Sequence, residues 1–490
     1  MKGSKGKVGI IGAGIAGLSS AVRLASRGYL VEVYERNSYP GGKLSEIEKG
    51  GYRFDAGPSL FTMPHLVDEL FELAGKNPKD YFQYEKIDIT CNYFYEDGLR
   101  LSAYADNNRF AEEIENKTGE PARKVLDLLE NSAYLYDSLA ELFIFRSLHK
   151  PSTFLNKHAL KAYFRIPFLK FFDTLHSANA RSFKDPRIIQ LFDRYATYNG
   201  SDPYQTPASM RIIPHLEYNI GAFFPKGGMY HITDSIYRLA KDLGVKFFFN
   251  SDVKKIITRN GEAIGIQVNE TRLLFEKVVC NMDMVNAYKY LLKEEKQPQK
   301  LMRQPKSSSA LIFYWGIKRS FPELDLHNIF FSSDYQTEFR HIFEYKTIYD
   351  DPTVYINITS KYNPSDAPEG SENWFTMINV PHNSGQDWDE MIREARVHII
   401  KKVSRLLNVD IEPLIEVEEV LEPRTIESKT SSANGALYGN SSNNKYAAFL
   451  RHPNYSPHLK NLYFCGGSVH PGGGIPLSIS SAKIVSDYID

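Results

Sequence analysis

The 490-residue chain is poor in cysteine, with Cys91, Cys280 and Cys465 alone. An odd, widely separated set argues against a disulfide framework and against a Cys-based zinc site. It is the usage expected of a reducing, cytoplasmic compartment. Net charge is also missing, because 59 Lys and Arg balance 59 Asp and Glu. A global basic footprint for nucleic acid is thereby excluded. No charge-free run approaches the ~20 residues that a spanning helix needs. Paired carboxylates, nucleophile triads and metal-ligand spacings are absent as well, so no metal site is expected and no catalytic residue is assigned. Internal repeats are not found, and a chain of this length exceeds one compact core, which implies two or three domains.

What is present begins at the N-terminus. The apolar run Val8 to Ile11 breaks into Gly12, Gly14 and Gly17 and continues as a helical pattern through Ile15 and Ala16. This is a strand, a glycine turn and a helix: Gly12 for the tight turn, Gly14 for close approach of a pyrophosphate, Gly17 for helix packing. A second strand, Leu30 to Tyr34, ends in Glu35, whose carboxylate can accept from a ribose 2′-hydroxyl and would repel a 2′-phosphate. The unit predicts an adenine dinucleotide. Only one such fingerprint occurs, so no second Rossmann domain is expected to deliver NAD(P)H.

The residues after Glu35 include Gly41, Gly42 and Lys43, and further on Asp55, Ala56, Gly57 and Pro58. Near the C-terminus, Leu462 to Cys465 leads into Gly466-Gly467-Ser468-Val469-His470-Pro471-Gly472-Gly473-Gly474-Ile475-Pro476, a strand, a glycine loop and a helix start. Between them lie Arg194 to Pro203, Phe224 to Met229, Asn250 to Ile257 and Asn281-Met282-Asp283. In this order the segments resemble the bacterial-type phytoene desaturases within the amine-oxidase and carotenoid-desaturase flavoproteins, and most of all the acyclic 1-hydroxycarotenoid 3,4-desaturases. The departures are Gly467-Ser468 in place of Gly-Thr and Leu477 in place of a common glycine.

That resemblance implies noncovalent FAD. Gly41, Gly42 and Lys43 would give it backbone donors and a cation, Gly57 and Pro58 would lie near the flavin, and Val253 would meet adenine through its backbone. Gly467, Gly474 and Ile475 would wrap the flavin and its ribityl chain. It further implies an α/β fold in which a Rossmann-type FAD-binding domain (1–85, 225–300, 415–490) is interleaved with a β-sheet substrate domain (86–130, 180–224, 301–414). The implied reaction is dehydrogenation beside the polyene of a hydrophobic carotenoid, with quinone or oxygen as electron acceptor. Phytoene or diapophytoene desaturation, polyene saturation, amine oxidation and flavin-free prenyl-lipid carriage remain open alternatives.

A third region, 131–179, is expected to be helical and membrane-associating. From Leu142 to Phe172 there is no Asp or Glu, while Lys157, Lys161 and Arg165 form one i, i+4 row among many phenylalanines. Such a segment suits peripheral attachment to an anionic membrane surface. His176, His215 and His470 are candidate proton acceptors to which no role is assigned. The remaining expectations are a helix from about Pro64 to Ala74 started by Thr62, a hairpin turning at Asp97-Gly98, and a helix closing a sheet near Asp387 to Leu407.

Overall fold

The computed structural model describes residues 5–155, 173–444 and 451–489. Its first layer is a five-stranded, all-parallel sheet in the order Leu462–Phe464, Lys277–Cys280, Lys7–Ile11, Leu30–Tyr34, Lys246–Phe248. Val8 to Ile11 are buried on both faces, and this is why the central strand reads as a continuous apolar run. Helix Ile15–Ser26 packs on Tyr230–Asp242 and on the C-terminal helix Ile475–Ile489. Its small residues Ala16, Gly17 and Ala21 make that approach possible. At Gly17 a β-carbon would stand 2.1 Å from the Gly12 carbonyl oxygen, so no other residue fits. An antiparallel meander, Val253–Arg259, Glu262–Val268 and Thr271–Leu274, flanks this sheet. Its first turn carries Asn260 and Gly261 at φ of 52° and 77°, the left-handed pair that a two-residue hairpin demands.

The second layer is a seven-stranded mixed sheet in the order Ile415–Leu421, Ser309–Ile317, Glu372–Val380, Val354–Ile358, His327–Phe330, Ile89–Phe94, Arg100–Tyr104. Ser309–Ile317 is buried throughout, and its alternation divides two cores. Leu311, Phe313 and Trp315 pack under helix Trp388–Leu407, capped by Asp387. Ala310, Ile312 and Tyr314 point the other way, with Tyr52, Phe54 and Phe375. Helices Asn107–Thr118 and Ala122–Phe143 close the third side. The α/β fold with two interleaved sheet systems is the architecture expected.

Two expectations are corrected. Strand Ile415–Leu421 pairs antiparallel with Ser309–Ile317, so it extends the second sheet instead of opening the last FAD-domain segment at 415. Helix His65–Leu73 starts at Pro64 with no side-chain cap, so Thr62 does not start it. The stretch from Leu142 begins inward: Leu142 and Thr153 are buried and Arg146 pairs with Glu141. Lys157, Lys161 and Arg165 lie outside the described residues. No described helix is long and apolar enough to cross a membrane.

Candidate functional site

A single cavity of about 1220 Å³ runs between the two sheets. It exceeds the roughly 300–1,000 Å³ typical of one small-molecule site. Two helix N-termini reach it, through Ile15 and Ala16 and through Ile475 to Ser478. The first is entered by Gly14, which offers no capping side chain, so the first-turn N–H groups keep their positive end exposed to a ligand. Asn281, with its amide oxygen facing the glycine turn, accepts from Gly14 and Gly17 N–H at 3.2 and 3.3 Å and braces the turn. Gly474 has a φ of +101°, and a β-carbon there would meet nothing within 4 Å.

The glycine-turn residues Gly12, Gly14, Ile15 and Ala16 line this wall, as do Glu35, Gly41, Gly42, Lys43, Gly57, Pro58, Val253, Gly467, Gly474 and Ile475. Gly17 does not, and its part is to support the turn. Glu35 is buried at the end of its strand, with Oε2 accepting from Ala13 N–H at 2.7 Å and Oε1 from Asn37 N–H at 2.8 Å.

Beside this cradle sits a charged group assembled from four distant segments. Lys43 Nζ donates to Leu437 O at 2.6 Å, Lys306 Nζ to Asn440 Oδ1 at 2.7 Å, and Arg451 to Tyr438 O and Gly467 O at 2.9 and 3.0 Å. Asp283 is the carboxylate whose charge favours all three cations. Burial nevertheless lowers Lys43 to about 8 and Arg451 to about 10, and raises Asp283. Three cations against one carboxylate leave the group net positive, a donor set suited to an anionic dinucleotide.

The opposite part of the cavity is walled by Leu139, Phe143, Ile212, Ile213, Ile329, Phe375 and Met377. Set in it is a buried polar knot. Arg194 donates to Glu217 at 2.8 Å and to the hydroxyls of Tyr195 and Tyr198 at 3.0 Å, while Tyr198 donates to Glu217 at 2.5 Å. Ser59, Tyr355 and His327 form a second polar line on the same wall.

These pieces correspond to a known family. Residues 15–490 match the family of flavin-containing amine oxidoreductases. The chain belongs to that family. A 1-hydroxycarotenoid 3,4-desaturase of Flavobacterium sp. (strain P99-3) is 52% identical over 98% of each chain. A 4,4'-diapolycopene oxygenase of Methylomonas sp. is 32% identical over 99% of this chain and 98% of its own. Among solved structures, an oxidoreductase from Methanosarcina mazei is 15% identical, covers 99% of this chain and 100% of its own, and superposes with a TM-score of 0.62. That last likeness concerns the fold. As a member of the family the chain is a flavoprotein oxidoreductase, and the cradle fits FAD by its glycines, its cations and the buried acid at the end of the second strand.

The candidate histidines His176, His215 and His470 do not line the cavity. His176 is tied to Asp193 at 2.6 Å, His215 to Asn219 at 3.0 Å, and His470 donates to Arg146 O at 2.8 Å. Among the described histidines, His327 is the one on the wall, and a lone histidine in an apolar strand carried no sequence signal. Burial lowers His327 to about 3 and His452 and His470 to about 4. Each depressed value means that the unfolded chain binds more protons than the fold below about 6.5. The contribution is complete above that pH and is lost as pH falls toward 4. The urea midpoint is therefore expected to drop across pH 6.5 to 4, and His470→Gln, which keeps a donor for Arg146 O but cannot titrate, should flatten that limb. An unchanged slope would refute the assignment.

Proposed function

We propose that the chain is an FAD-dependent desaturase that dehydrogenates a C–C bond beside the polyene of an acyclic carotenoid, introducing a 3,4 double bond into a 1-hydroxylated end group. The observation that carries this reading is the continuity of the glycine-lined, cationic cradle with an apolar wall in one cavity. The Flavobacterium relative supports the choice of substrate.

FAD, when bound, supplies the acceptor for the two electrons released as two hydrogens leave adjacent carbons. Glu35 would hold the adenosine ribose, Val253 would meet adenine, and Gly12, Gly14, Ile15 and Ala16 would receive the pyrophosphate with Gly17 behind them. Gly41, Gly42 and Lys43 add donors, and Gly57, Pro58, Gly467, Gly474 and Ile475 border the flavin. The apolar wall excludes water and holds the polyene, and the polyene itself delocalises positive charge that develops on it. A quinone or oxygen completes the cycle, since the sequence carries one dinucleotide fingerprint.

Anaerobic mixing with a liposome-borne 1-hydroxycarotenoid should bleach the oxidised flavin, and oxygen or a quinone should restore it. The product must absorb at longer wavelength because each new double bond extends conjugation. A blue-shifted product made only with added reductant would identify a saturase. Bleaching by amines but by no carotenoid would move the chain to the amine oxidases.

A hydrophobic substrate also favours attachment of the chain to a membrane surface. Phe154 and Leu155, 37% and 87% exposed, stand immediately before the basic, aromatic stretch, and Leu139 and Phe143 of the preceding helix line the cavity. At about 1 kcal/mol per cation, reversing Lys157, Lys161 and Arg165 to glutamate should weaken partition to anionic liposomes by ~100-fold or more. Unchanged cosedimentation would remove this stretch from the attachment surface.

A further inference from the structure

The desaturase reading leaves the buried ring nitrogen of His327 on the cavity wall unexplained. His327 is 2% exposed, lies at the start of a central strand and borders the cavity. Its Nδ1 is 2.7 Å from the Tyr355 hydroxyl and 3.2 Å from Asn357 Nδ2, and an amide nitrogen can only donate. Nδ1 is therefore the acceptor, and the neutral ring carries its proton on Nε2. That Nε2–H is buried and has no acceptor among the described residues. Tyr355 is held in turn by Ser59 at 2.8 Å. A buried N–H without a partner is destabilising, and its retention on the wall of a ligand cavity calls for a ligand acceptor.

The position of the line narrows that acceptor. Ser59 directly follows Gly57-Pro58, the turn that borders the flavin in the proposed complex. In a 1-hydroxylated end group the oxygen is three bonds from C3 and four from C4, within about 5 Å of the bond that is oxidised. A group that reads this hydroxyl must stand beside the reacting bond, not at the remote end of the cavity. The Arg194–Glu217 knot is another polar element on the wall, but its two terminal guanidinium nitrogens already donate to Glu217, Tyr195 and Tyr198, which leaves only the Arg194 Nε–H without a partner.

We propose that His327, positioned by Tyr355 and Ser59, donates its Nε2–H to the tertiary hydroxyl oxygen of the carotenoid end group and so selects hydroxylated over unhydroxylated ends. This assignment rests on the desaturase reading. It makes His327 a specificity residue in contact with substrate and Tyr355 a positioning residue. An end group with hydrogen in place of hydroxyl would leave the N–H facing carbon, and sites built around a substrate hydroxyl discriminate strongly against analogues that lack it.

The test measures kcat/KM of the FAD-loaded protein on liposome-borne acyclic carotenoids with 1-hydroxylated and unhydroxylated ends. It is repeated for His327→Phe, His327→Gln and Tyr355→Phe, with FAD content checked in each. The wild type is expected to favour the hydroxylated end by at least about 10- to 100-fold. His327→Phe should abolish that ratio by slowing only the hydroxylated substrate, and His327→Gln, which keeps an N–H, should recover part of it. Tyr355→Phe should diminish it and covers the case in which His327→Phe does not fold. Equal kcat/KM on both ends by the wild type overturns the assignment with no variant needed, as does an unchanged ratio in His327→Phe or in both phenylalanine variants. Turnover of neither end overturns the desaturase reading, and the assignment falls with it.

Discussion

Arg194→Met is expected to lower the stability of the cavity wall by about 3–5 kcal/mol, because it leaves Glu217 buried and uncompensated. The side chains of Arg194 and Glu217 are 7% and 2% exposed and joined at 2.8 Å. The guanidinium also lies over the rings of Tyr93, Tyr195 and Tyr198, 4.3–5.5 Å from their centroids. Replacing both partners, as Arg194→Met with Glu217→Met, should recover much of the loss, since the whole ion pair is worth far less than half of it left alone. Urea unfolding followed by flavin release reads this directly, and a double variant no more stable than Arg194→Met would show that Glu217 is not the stranded charge.

The knot also marks the boundary of what the sequence makes legible. Gly12, Gly14, Gly17 and Glu35 are readable because the turn, the helix and the acid that ends the second strand are local to one unit, where spacing carries the physics. The helix Trp388–Leu407 and the turn at Asn260-Gly261 follow from periodicity and turn chemistry in the same way. The cationic group is different: Lys43, Asp283, Lys306 and Arg451 share no local pattern and meet only because the interleaved segments fold back on one another. His327 is hidden for a related reason, since its chemistry depends on Tyr355 and Asn357 on the adjacent strand and on Ser59 from another layer. Strand Ile415–Leu421 precedes the C-terminal FAD-binding elements in sequence yet belongs to the second sheet. Its partner Ser309–Ile317 lies about a hundred residues earlier in the chain, and nothing local announces that pairing.

Glu35→Ala is expected to weaken FAD binding by roughly 10- to 100-fold, the equivalent of ~1.5–3 kcal/mol for charge-assisted hydrogen bonds. The carboxylate is anchored on both oxygens, by Ala13 N–H at 2.7 Å and Asn37 N–H at 2.8 Å, and its backbone joins Phe248 and Ser251. It therefore reaches the ligand already oriented, and the bonds it makes are not offset by ordering a free side chain. The same anchoring means that alanine also strands the Ala13 N–H inside the glycine turn, so a general loosening of the turn must be separated from loss of the ribose contact. FMN makes the separation, because it lacks the adenosine ribose. If Glu35 acts on that ribose, FAD affinity falls in Glu35→Ala while FMN affinity stays near that of the parent. Equal losses for both flavins would mean that Glu35 matters for the turn alone, and undiminished FAD affinity would remove it from the site.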